Sequence, residues 1–573
     1  MSNNLINTAM SGLNAAQAAM STISNNIANQ KVNWYNRQMT VFNENGGTMT
    51  SNGYIGNGVN VSRIHREYNE FLAGQMNRAV TKQSALNSYN KNISQINNLL
   101  ADKGNDVSSA IDDFFTSLPN VTNNAEDNPA RTTILGKAEA MVNMFNKADQ
   151  SLRDLEKDIN SQVTNTTKNI NEYSKQIAKL NQEISRSQGF NGAEPNDLLD
   201  QRDRLIQELN TLVDVQVTQQ DGGFVNVSFA NGLPLVAGTR SYEVSAIPSN
   251  KNSERLVVGY SNGIDEVREV DAIPSNKNSE RLVVGYSNGI DEVREVDAKR
   301  INGGELGGAY RSRNEVLDAS RNQLNQLALV LGDQFNKQHE QGFDLNGDKG
   351  DKFFNLGGAH TMPNGKNKGD ATFDVKYTDT REVKAADYTV KYEGGKWNVT
   401  VEPGNRKFTA TPNATTGELE FEGMSIKVNG AAQEGDSIVV QSVGNVIAGM
   451  SVAISDPSKI AAAGTKDSGP SDNENMKKLF ELPDEKLIDG KATIAGGYGS
   501  LISMVGNKVN TAQVDYDAQN AITSSILTQQ QSVSGVNLDE EYGEMYRIQE
   551  YYMANAKVIQ TANTMFDAIM QVL

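Results

Sequence analysis

Apolar side chains recur at alternating intervals of three and four residues between positions 6 and 27. This is the pattern of a helix that packs lengthwise against another helix. The pattern ends before the first charged residue, Lys31. The chain is therefore predicted to begin with a long helix whose apolar seam needs a partner. The seam positions are Ile6, Ala9, Leu13, Ala16, Met20, Ile23 and Ile27.

The C-terminus repeats the same spacing to the last residue, so a second seamed helix is predicted there. Asn537, followed by Glu540 three positions later, predicts a capping box that opens this helix. Two arrangements remain open: the two terminal helices pair within one subunit, or both co-assemble between subunits. The seam positions are Met545, Ile548, Tyr552, Asn555, Ile559, Ala562, Phe566, Ile569 and Leu573.

The chain between the two ends mixes helical and strand-like patterns. Helical spacing recurs over 72–100, 152–184 and 502–526. Apolar and polar residues alternate from about 370 to 442, and Glu-Gly-Gly-Lys at 393–396 predicts a hairpin turn. The sequence predicts an α+β fold: an elongated, multi-domain rod with terminal coiled-coil helices, a long helical bundle and an inserted all-β domain.

These patterns divide the chain into four predicted parts. They are a terminal helical coiled-coil domain (1–33 with 535–573), a long-helix rod domain (34–212 with 299–360 and 451–534), a β-rich segment (213–298) and an inserted all-β outer domain (361–450). The β-rich segment contains the same 26 residues twice without change, at 246–271 and 272–297. Solenoid repeats come in three or more copies and drift in sequence, so this pair indicates a recent duplication or an artefact of sequence assembly.

Charge and residue usage exclude several classes of function. The 573 residues carry 53 Lys and Arg against 70 Asp and Glu, a formal charge of −17, which argues against nucleic acid and against a polybasic membrane anchor. The chain has no Cys and only three His, far apart, so thiolate chemistry, a His-based triad and a multi-His metal site are not expected. Without an apolar run of 18 residues or signal-peptide features, no membrane insertion is expected, and composition alone points to the cytosol.

No motif for catalysis or metal binding emerges from the spacing. Asp-Leu-Asn-Gly-Asp at 344–348 resembles the start of a calcium loop, but Lys349 and Asn355 stand where an EF-hand needs Gly and Glu. The Gly-rich run at 303–308 fits no phosphate-binding fingerprint and predicts a turn before a helix. We therefore predict no catalytic, cofactor-binding or metal-binding residue, no cofactor, and no enzymatic activity.

Motifs at both ends resemble the bacterial flagellar axial proteins, the family of rod, hook and hook-associated subunits. Ser-Asn-Asn-Ile-Ala-Asn at 24–29, followed by Tyr35 and Arg37, resembles the N-terminal signature of that family. Ser-Gly-Val-Asn-Leu-Asp-Glu-Glu at 534–541 resembles its C-terminal motif, in a form closer to the hook-associated members than to the hook subunit. Internal segments agree in order along the whole chain, at 32–38, 56–72, 124–131, 196–210, 304–313, 336–354 and 435–440.

The resemblance implies a structural subunit that joins hook to filament outside the cell. It also implies export through the flagellar type III apparatus without a cleaved signal peptide, which replaces the cytosolic expectation. The implied partners are copies of the same chain in a ring around a central channel, the hook protein, the next hook-associated junction protein, the export apparatus and a chaperone on the C-terminal helix.

The residues expected to mediate assembly lie in the two terminal motifs. The N-terminal set is Ile6, Leu13, Met20, Ile23, Asn25, Asn26, Ile27, Asn29, Tyr35 and Arg37. The C-terminal set, which also carries the expected chaperone site, is Asn537, Leu538, Tyr552, Asn555, Ile559, Ala562, Phe566, Ile569 and Leu573.

Two alternative functions remain open at this point. One is a hook or distal-rod subunit of the same family. The other is an exported carbohydrate-binding or hydrolase β domain carried on an axial stem. The chain also departs from the family pattern at Trp34, where the family has Gly, and a different local bend is expected there because Gly permits turns that are closed to Trp.

Overall fold

The computed structural model describes residues 2–50, 53–102, 106–191, 193–249, 256–261, 282–287, 293–296 and 300–572. The chain forms two compact units, each built from separate stretches. Unit 1 comprises Met1–Ser84, Asn169–Tyr242 and Asp517–Leu573, and unit 2 comprises Ala85–Lys168 and Glu243–Tyr516. Long helices and separate β-sheets confirm the predicted α+β class, whereas the rod shape and the four-part division remain predictions.

Long helices lie at both ends of the described chain, as the heptad spacing predicts. The helix predicted over 152–184 is part of a longer helix, because the Thr and Asn residues along its seam do not interrupt it. The helices are α1 (Ser2–Asn29), α2 (Glu70–Ala101), α3 (Val107–Asn123), α4 (Asn128–Asn191), α5 (Asn196–Leu212), α6 (Gly304–Ser312), α7 (Asp318–His339), α8 (Glu474–Glu481), α9 (Ile494–Ser534) and α10 (Leu538–Val572). A π-helical turn, Arg313–Leu317, joins α6 to α7.

The strands of unit 1 form two antiparallel ribbons and one antiparallel sheet. In the ribbons, β1 (Gln38–Glu44) pairs with β4 (Val59–Arg66), and β2 (Thr48–Thr50) pairs with β3 (Gly53–Ile55). The sheet runs in chain order through β5 (Val215–Gln219), β6 (Val225–Phe229), β7 (Leu233–Ala237) and β8 (Arg240–Ser241). The long ribbon directly follows α1 in the chain, so it ties the N-terminal helix to the rest of unit 1.

The strands of unit 2 form separate small sheets. One has the order β10 (Leu256–Ser261), β9 (Glu243–Pro248), β11 (Leu282–Ser287), β12 (Val293–Glu295). A five-stranded sheet has the order β14 (His360–Pro363), β21 (Ser437–Gln441), β16 (Asp387–Glu393), β17 (Lys396–Glu402), β18 (Arg406–Ala410). A three-stranded sheet has the order β15 (Thr372–Tyr377), β20 (Met424–Asn429), β19 (Leu419–Phe421), and β13 (Phe354–Asn355) pairs with β22 (Ser451–Val452).

The hairpin predicted at 393–396 joins β16 to β17. Glu393 pairs with Lys396, and the two residues between them are Gly394 and Gly395, with φ of 59° and 74°. A two-residue turn with both φ values positive matches the right-handed twist of the flanking strands, and glycine adopts it without steric cost. Trp397 then packs edge-on against Phe373 of the neighbouring sheet, with ring centroids 5.1 Å apart.

The duplicated segment places one strand from each copy against the same neighbour. β10 and β11 have the same sequence, and Val257 and Val283 both pair with Ile247 of β9. In the second copy β11 forms an antiparallel pair with β12. The residues of the first copy that correspond to β12, 267–269, lie outside the described residues.

An aromatic cluster from α3, α7 and the start of β13 forms a core of unit 2. Neighbouring rings lie 4.8–6.3 Å apart in edge-on or tilted arrangements, which aromatic pairs favour. His339 lies at the edge of this cluster with its ring 5.4 Å from that of Phe353. The cluster consists of Phe114, Phe115, Phe335, Phe353 and Phe354.

A buried ion pair joins α4 to the π-helical turn in the same unit. Arg313 Nε lies 3.0 Å from Glu156 Oε1, and both side chains are almost fully buried. The guanidinium also donates to Asn160 at 2.6 Å. Two charges in such a site stabilise one arrangement only while both are present, because either one alone has lost its hydration.

We expect Glu156→Leu to lower the free energy of unfolding of unit 2 by about 3–5 kcal/mol, because it leaves the buried guanidinium of Arg313 without the Glu156 carboxylate as its counter-charge. The double variant with Arg313→Met should recover most of this loss. Urea unfolding, monitored by Trp397 fluorescence in a Trp34→Phe background, measures the stability of the single and the double variant. The control is Asp154→Asn, which breaks an exposed pair with Lys157 and should cost less than about 1 kcal/mol. A double variant as unstable as the single one contradicts the pairing.

His339 makes the stability of unit 2 depend on pH. Its Nδ1–H donates to Asp351 O at 2.7 Å and its Nε2 accepts from Ala461 N–H at 2.9 Å, which requires the neutral ring. Burial lowers the pKa of His339 to about 4. A proton therefore binds the unfolded chain from about pH 6.5 downward but the folded unit only near pH 4, so stability is full above 6.5 and falls between these values.

The expected loss from His339 between pH 6.5 and 4 is about 3 kcal/mol. His339→Gln should be less stable at pH 7 but should lose correspondingly less on acidification, because an amide donates and accepts without titrating. The same Trp397 fluorescence unfolding series, repeated across this pH range, measures the difference. An unchanged pH dependence in His339→Gln contradicts this role.

Candidate functional site

The two terminal helices, α1 and α10, pack against each other in unit 1. One cluster combines Ile23 and the half-buried Met20 and Ile27 of α1 with Ile548 and Met545 of α10. The buried positions of α1 also include small residues, which let the two helices approach closely. These buried positions are Ala9, Gly12, Ala15, Ala16, Ala19, Thr22, Ile23 and Asn26.

Gly12 marks the closest approach of the two helices. A Cβ at this position would lie 2.5 Å from Oδ1 of Asn555, well inside van der Waals contact. Asn555 therefore sits over a gap in α1 that only glycine leaves open. Gly12 was not among the predicted seam residues, because a search for large apolar side chains passes over glycine.

The structure places the predicted N-terminal residues on both sides of this buried stripe. Ile23 and Asn26 are buried, whereas Asn25 is exposed and donates to the Tyr35 hydroxyl. Asn29 donates to Asn25 within the helix. The half-buried members are Ile6, Leu13, Met20, Ile27, Asn29, Tyr35 and Arg37.

The predicted C-terminal residues fall into a covered and an uncovered group. Ile548 and Ala562 are buried, and Asn555, Ile559 and Leu538 are half-buried. Leu573 lies outside the described residues. The uncovered members are Tyr552, Phe566 and Ile569, which are 38%, 49% and 55% exposed.

Other large apolar side chains of α10 are exposed as well. Tyr551, Val558 and Met565 recur every seven residues along one side of the helix, and all three are exposed. A residue repeated every seven positions returns to nearly the same side of a helix, which is the spacing of a coiled-coil contact. Among the residues that the structure describes, this row stays exposed beside the contact with α1. The remaining exposed apolar residues of α10 are Tyr542, Tyr546, Met553 and Met570.

A buried amide forms the base of the helix pair. Asn26 Nδ2 donates to Gln38 O and to Glu541 Oε2, both at 2.9 Å. Its Oδ1 accepts from Gln38 N at 3.0 Å and from the Tyr35 hydroxyl at 2.8 Å. The side chain thus makes all four hydrogen bonds that an amide can make. Leucine in this place would leave several buried polar groups unpaired.

Arg37 completes this base from the other side. Its Nε lies 2.6 Å from Glu541 Oε1 and its Nη1 lies 2.7 Å from Glu540 Oε2. Glu541 is 1% exposed, so its charge depends on Arg37 and Asn26. Asn537 Oδ1 accepts from Asp539 N–H at 3.0 Å and caps α10, but Glu540, expected to complete the capping box, pairs with Arg37 instead.

The electrostatics of the base keep Tyr35 a neutral donor. Burial raises the pKa of the Tyr35 hydroxyl above its usual range, and the nearby carboxylates of Asp197, Asp200 and Glu541 raise it further. The hydroxyl therefore keeps its proton and donates a hydrogen bond to Asn26 Oδ1. No step of acid–base chemistry follows from this arrangement, which is suited to holding two helices together.

Trp34, the departure from the family pattern, is accommodated on the surface. Its φ is not positive, so its backbone is open to any residue. The guanidinium of Arg204 lies over the indole, 4.1 Å from the ring centroid, an arrangement that favours a cation over an aromatic face. The Trp34 side chain thus contacts Arg204, a contact that Gly, which has no side chain, cannot make.

A lysine from outside the calcium-like loop 344–348 of unit 2 neutralises its carboxylates. Asp344 Oδ1 accepts from the backbone N–H groups of Asn346 and Asp348, at 2.8 and 2.9 Å. Lys459 Nζ lies 3.0 Å from Asp344 and 3.1 Å from Asp348, so an ammonium group compensates the two carboxylates. Among the described residues, no cluster of three or more His, Asp or Glu is arranged to hold a metal ion.

None of the helices in the described ranges combines the length and the apolar content needed to cross a membrane.

Family models match four parts of the chain. The model described as the flagellar hook-associated protein FlgK helical domain matches residues 93–272 and 263–354. The D2-like domain of flagellar hook-associated protein 1 matches residues 362–442. The C-terminal model of the flagellar basal body rod FlgEFG proteins matches residues 529–572, and the flagella basal body rod protein model matches residues 6–30. The two stretches of the helical-domain match meet inside the duplication, consistent with one copy being additional to the family domain.

Whole proteins match the chain over nearly its full length. Flagellar hook-associated protein 1 of Escherichia coli strain K12 is 41% identical over 570 residues, and that of Salmonella typhimurium strain LT2 is 42% identical over 577 residues. Each alignment covers 99% of this chain and 99% of the relative. The fold is similar to that of the flagellar hook junction protein FlgK from Burkholderia pseudomallei, with a TM-score of 0.71 and 24% identity, over 80% of this chain and all of that one.

We expect Arg37→Ala to weaken the attachment of α10 to α1 by about 3–5 kcal/mol, because it leaves the Glu541 carboxylate buried without a cation. Amide hydrogen exchange of the purified full-length protein measures this, as faster exchange in the first turns of α10. The control is Arg547→Ala, which removes an exposed arginine that pairs with Glu544 of the same helix. Equal exchange in Arg37→Ala and Arg547→Ala contradicts the role of the base.

Proposed function

This chain belongs to the flagellar hook-associated protein 1 family, and we propose that it enters the flagellum through its paired terminal helices, α1 and α10. Members of the family are structural proteins of the hook–filament junction. The chain is therefore an axial subunit of the bacterial flagellum, with hook and junction proteins as neighbours, and its place is the extracellular flagellum. The hook or distal-rod alternative is not retained, since full-length relatives at 41% and 42% identity are hook-associated protein 1.

The uncovered apolar side of α10 is the observation that supports this mode of assembly. Tyr551, Val558 and Met565 form a heptad row with no cover from α1, and Phe566 and Ile569 extend the exposed apolar surface toward the C-terminus. Complete burial of a fully exposed apolar side chain contributes about 1.5–3 kcal/mol, and these side chains, which are already partly covered, contribute a share of that. A helix that is apolar on several sides needs several neighbours, which copies of the same chain around a central channel supply.

We also propose a route by which the chain reaches the flagellum. The chain leaves the cell unfolded through the type III export apparatus, without a cleaved signal peptide. Before export, a cytoplasmic chaperone covers the C-terminal helix, whose apolar surface is a liability for an unassembled subunit. The axial partners are copies of itself, the hook protein and the next hook-associated junction protein.

We propose no catalytic role for the chain. The β-sheets of unit 2 within 362–442 correspond to the D2-like domain of the family, so they are a regular part of its architecture. We assign them an outer structural role rather than carbohydrate binding or hydrolysis. A glycan-binding screen of the full-length protein tests this assignment, and specific binding lost on altering residues 362–442 contradicts it.

We expect Phe566→Asp to abolish filament attachment, because it places a charge in the exposed apolar surface that neighbouring subunits bury. The variant is expressed in cells that lack the native gene, and filaments are counted by electron microscopy with flagellin measured in the medium. Hooks without filaments and flagellin released to the medium are the expected result. Ile559→Asp, at a half-buried position of the same helix, should have the same effect.

Phe480→Asp is the matched control, since Phe480 of α8 is similarly exposed, at 43%, but lies in unit 2. It should leave filaments normal. The amount of each variant secreted by cells without hooks separates a defect in export from one in assembly. Normal filaments in Phe566→Asp contradict the proposed use of α10.

A further inference from the structure

Three carboxylates of α5 lie on one side of that helix. Asp197, Asp200 and Asp203 are three residues apart, a spacing that keeps side chains on neighbouring positions of a helix surface. An exposed acidic stripe of this kind is usually a solvated face. Here Asp197 is exposed and Asp203 half-buried, but Asp200 between them is 3% exposed, so the middle of the stripe is covered by other parts of unit 1.

The cover comes from the segment that joins α1 to β1. Asn36 N–H donates to Asp200 Oδ2 at 3.1 Å, and Asn36 Nδ2 donates to Asp200 Oδ1 at 2.6 Å. Gln38 Nε2 donates to Asp197 Oδ1 at 3.1 Å. Residues 36 and 38 are therefore both fastened to α5.

Arg66, at the end of β4, binds the same carboxylates. Its Nη1 lies 2.9 Å from Asp200 Oδ1 and 2.6 Å from Asp203 Oδ2. Burial raises the pKa of Asp200, while hydrogen bonds from Asn36 and Arg66 act in the opposite direction. These partners thus stabilise the buried carboxylate, and removal of one of them destabilises the folded unit.

The residue between Asn36 and Gln38 binds α10 rather than α5. Arg37 forms ion pairs with Glu540 and Glu541 of α10, whereas its two neighbours bind α5. In extended chain, successive side chains alternate in direction, so three consecutive residues can hold two different helices. The segment 36–38 is a bridge between α5 and the base of the α1–α10 pair.

We propose that Asp200, with Asp197 and Asp203, acts as a positioning residue for assembly by fixing the segment 36–38. Through this segment α5 sets the direction in which the α1–α10 pair leaves the rest of unit 1. The inference rests on the proposed function, since a fixed direction matters only if the helix pair is the part that neighbouring subunits bind.

An exchange of amide and carboxylate tests the contact. Asn36→Asp places two carboxylates where the 2.6 Å hydrogen bond lies, so the segment should separate from α5. The double variant Asn36→Asp with Asp200→Asn restores one amide and one carboxylate, and Arg66 keeps Asp203 as its partner. The control Asp214→Asn removes an exposed carboxylate of unit 1 just beyond α5.

The variants are expressed as full chains in cells that lack the native gene. We expect loss of attached filaments in Asn36→Asp, recovery in the double variant, and no change in Asp214→Asn, with equal secretion of all three. A merely structural role predicts instead a lower secretion or a lower unfolding midpoint for Asn36→Asp. Normal filaments in Asn36→Asp, or no recovery in the double variant, overturn the proposal.

If Asn36→Asp is poorly secreted, Asn36→Ala replaces it as the test variant, because it removes one hydrogen bond without adding charge. Hydrogen exchange of its purified full chain should rise at residues 36–38, and an unchanged rate there overturns the proposal. Phe566→Asp separates the two claims: filament loss in that variant together with normal Asn36→Asp cells rejects the positioning role alone. Normal filaments in both reject the use of α10 itself.

Discussion

The contact between the first and last helices is the constraint on which unit 1 depends. Asn26 and Glu541, 515 positions apart in the chain, share a buried hydrogen bond, and Arg37 neutralises the same carboxylate. Apolar contacts alone permit helices to slide past each other by a turn, because one Ala or Ile replaces another. A buried amide that needs four specific partners stabilises one register, since any slip leaves polar groups unpaired.

This register decides which side of α10 remains uncovered. Gly12 and the alanines of α1 bring the helices close on one side, and Ile548 and Ala562 are buried there. The row of Tyr551, Val558 and Met565 flanks that contact and stays exposed. If every apolar side of α10 were buried within one subunit, no apolar surface would remain to drive association. The narrow contact between α1 and α10 and the capacity to assemble are therefore two results of the same geometry.

The sequence predicted the terminal helices, the hairpin at 393–396 and the α+β class, because each depends on local periodicity or turn chemistry. It did not predict which positions of α1 lie deepest. Heptad reasoning places the large side chains of Leu13 and Met20 in the seam, whereas close packing buries Gly12 and Ala15 and leaves those larger residues half-buried. The acidic side of α5 was also missed, because Asp200 differs from a solvated carboxylate only through Asn36 and Arg66, which are distant in sequence.

Polar and apolar contacts therefore have separate tasks in unit 1. In the proposed assembly, the apolar face of α10 supplies association energy that depends little on orientation, since burial of apolar surface is not directional. Orientation comes from the buried groups at the base, where Asn26, Arg37 and Asp200 each accept only one arrangement of partners. A subunit placed between two different neighbours needs both properties, because attraction without direction joins subunits but does not set the geometry in which they are joined.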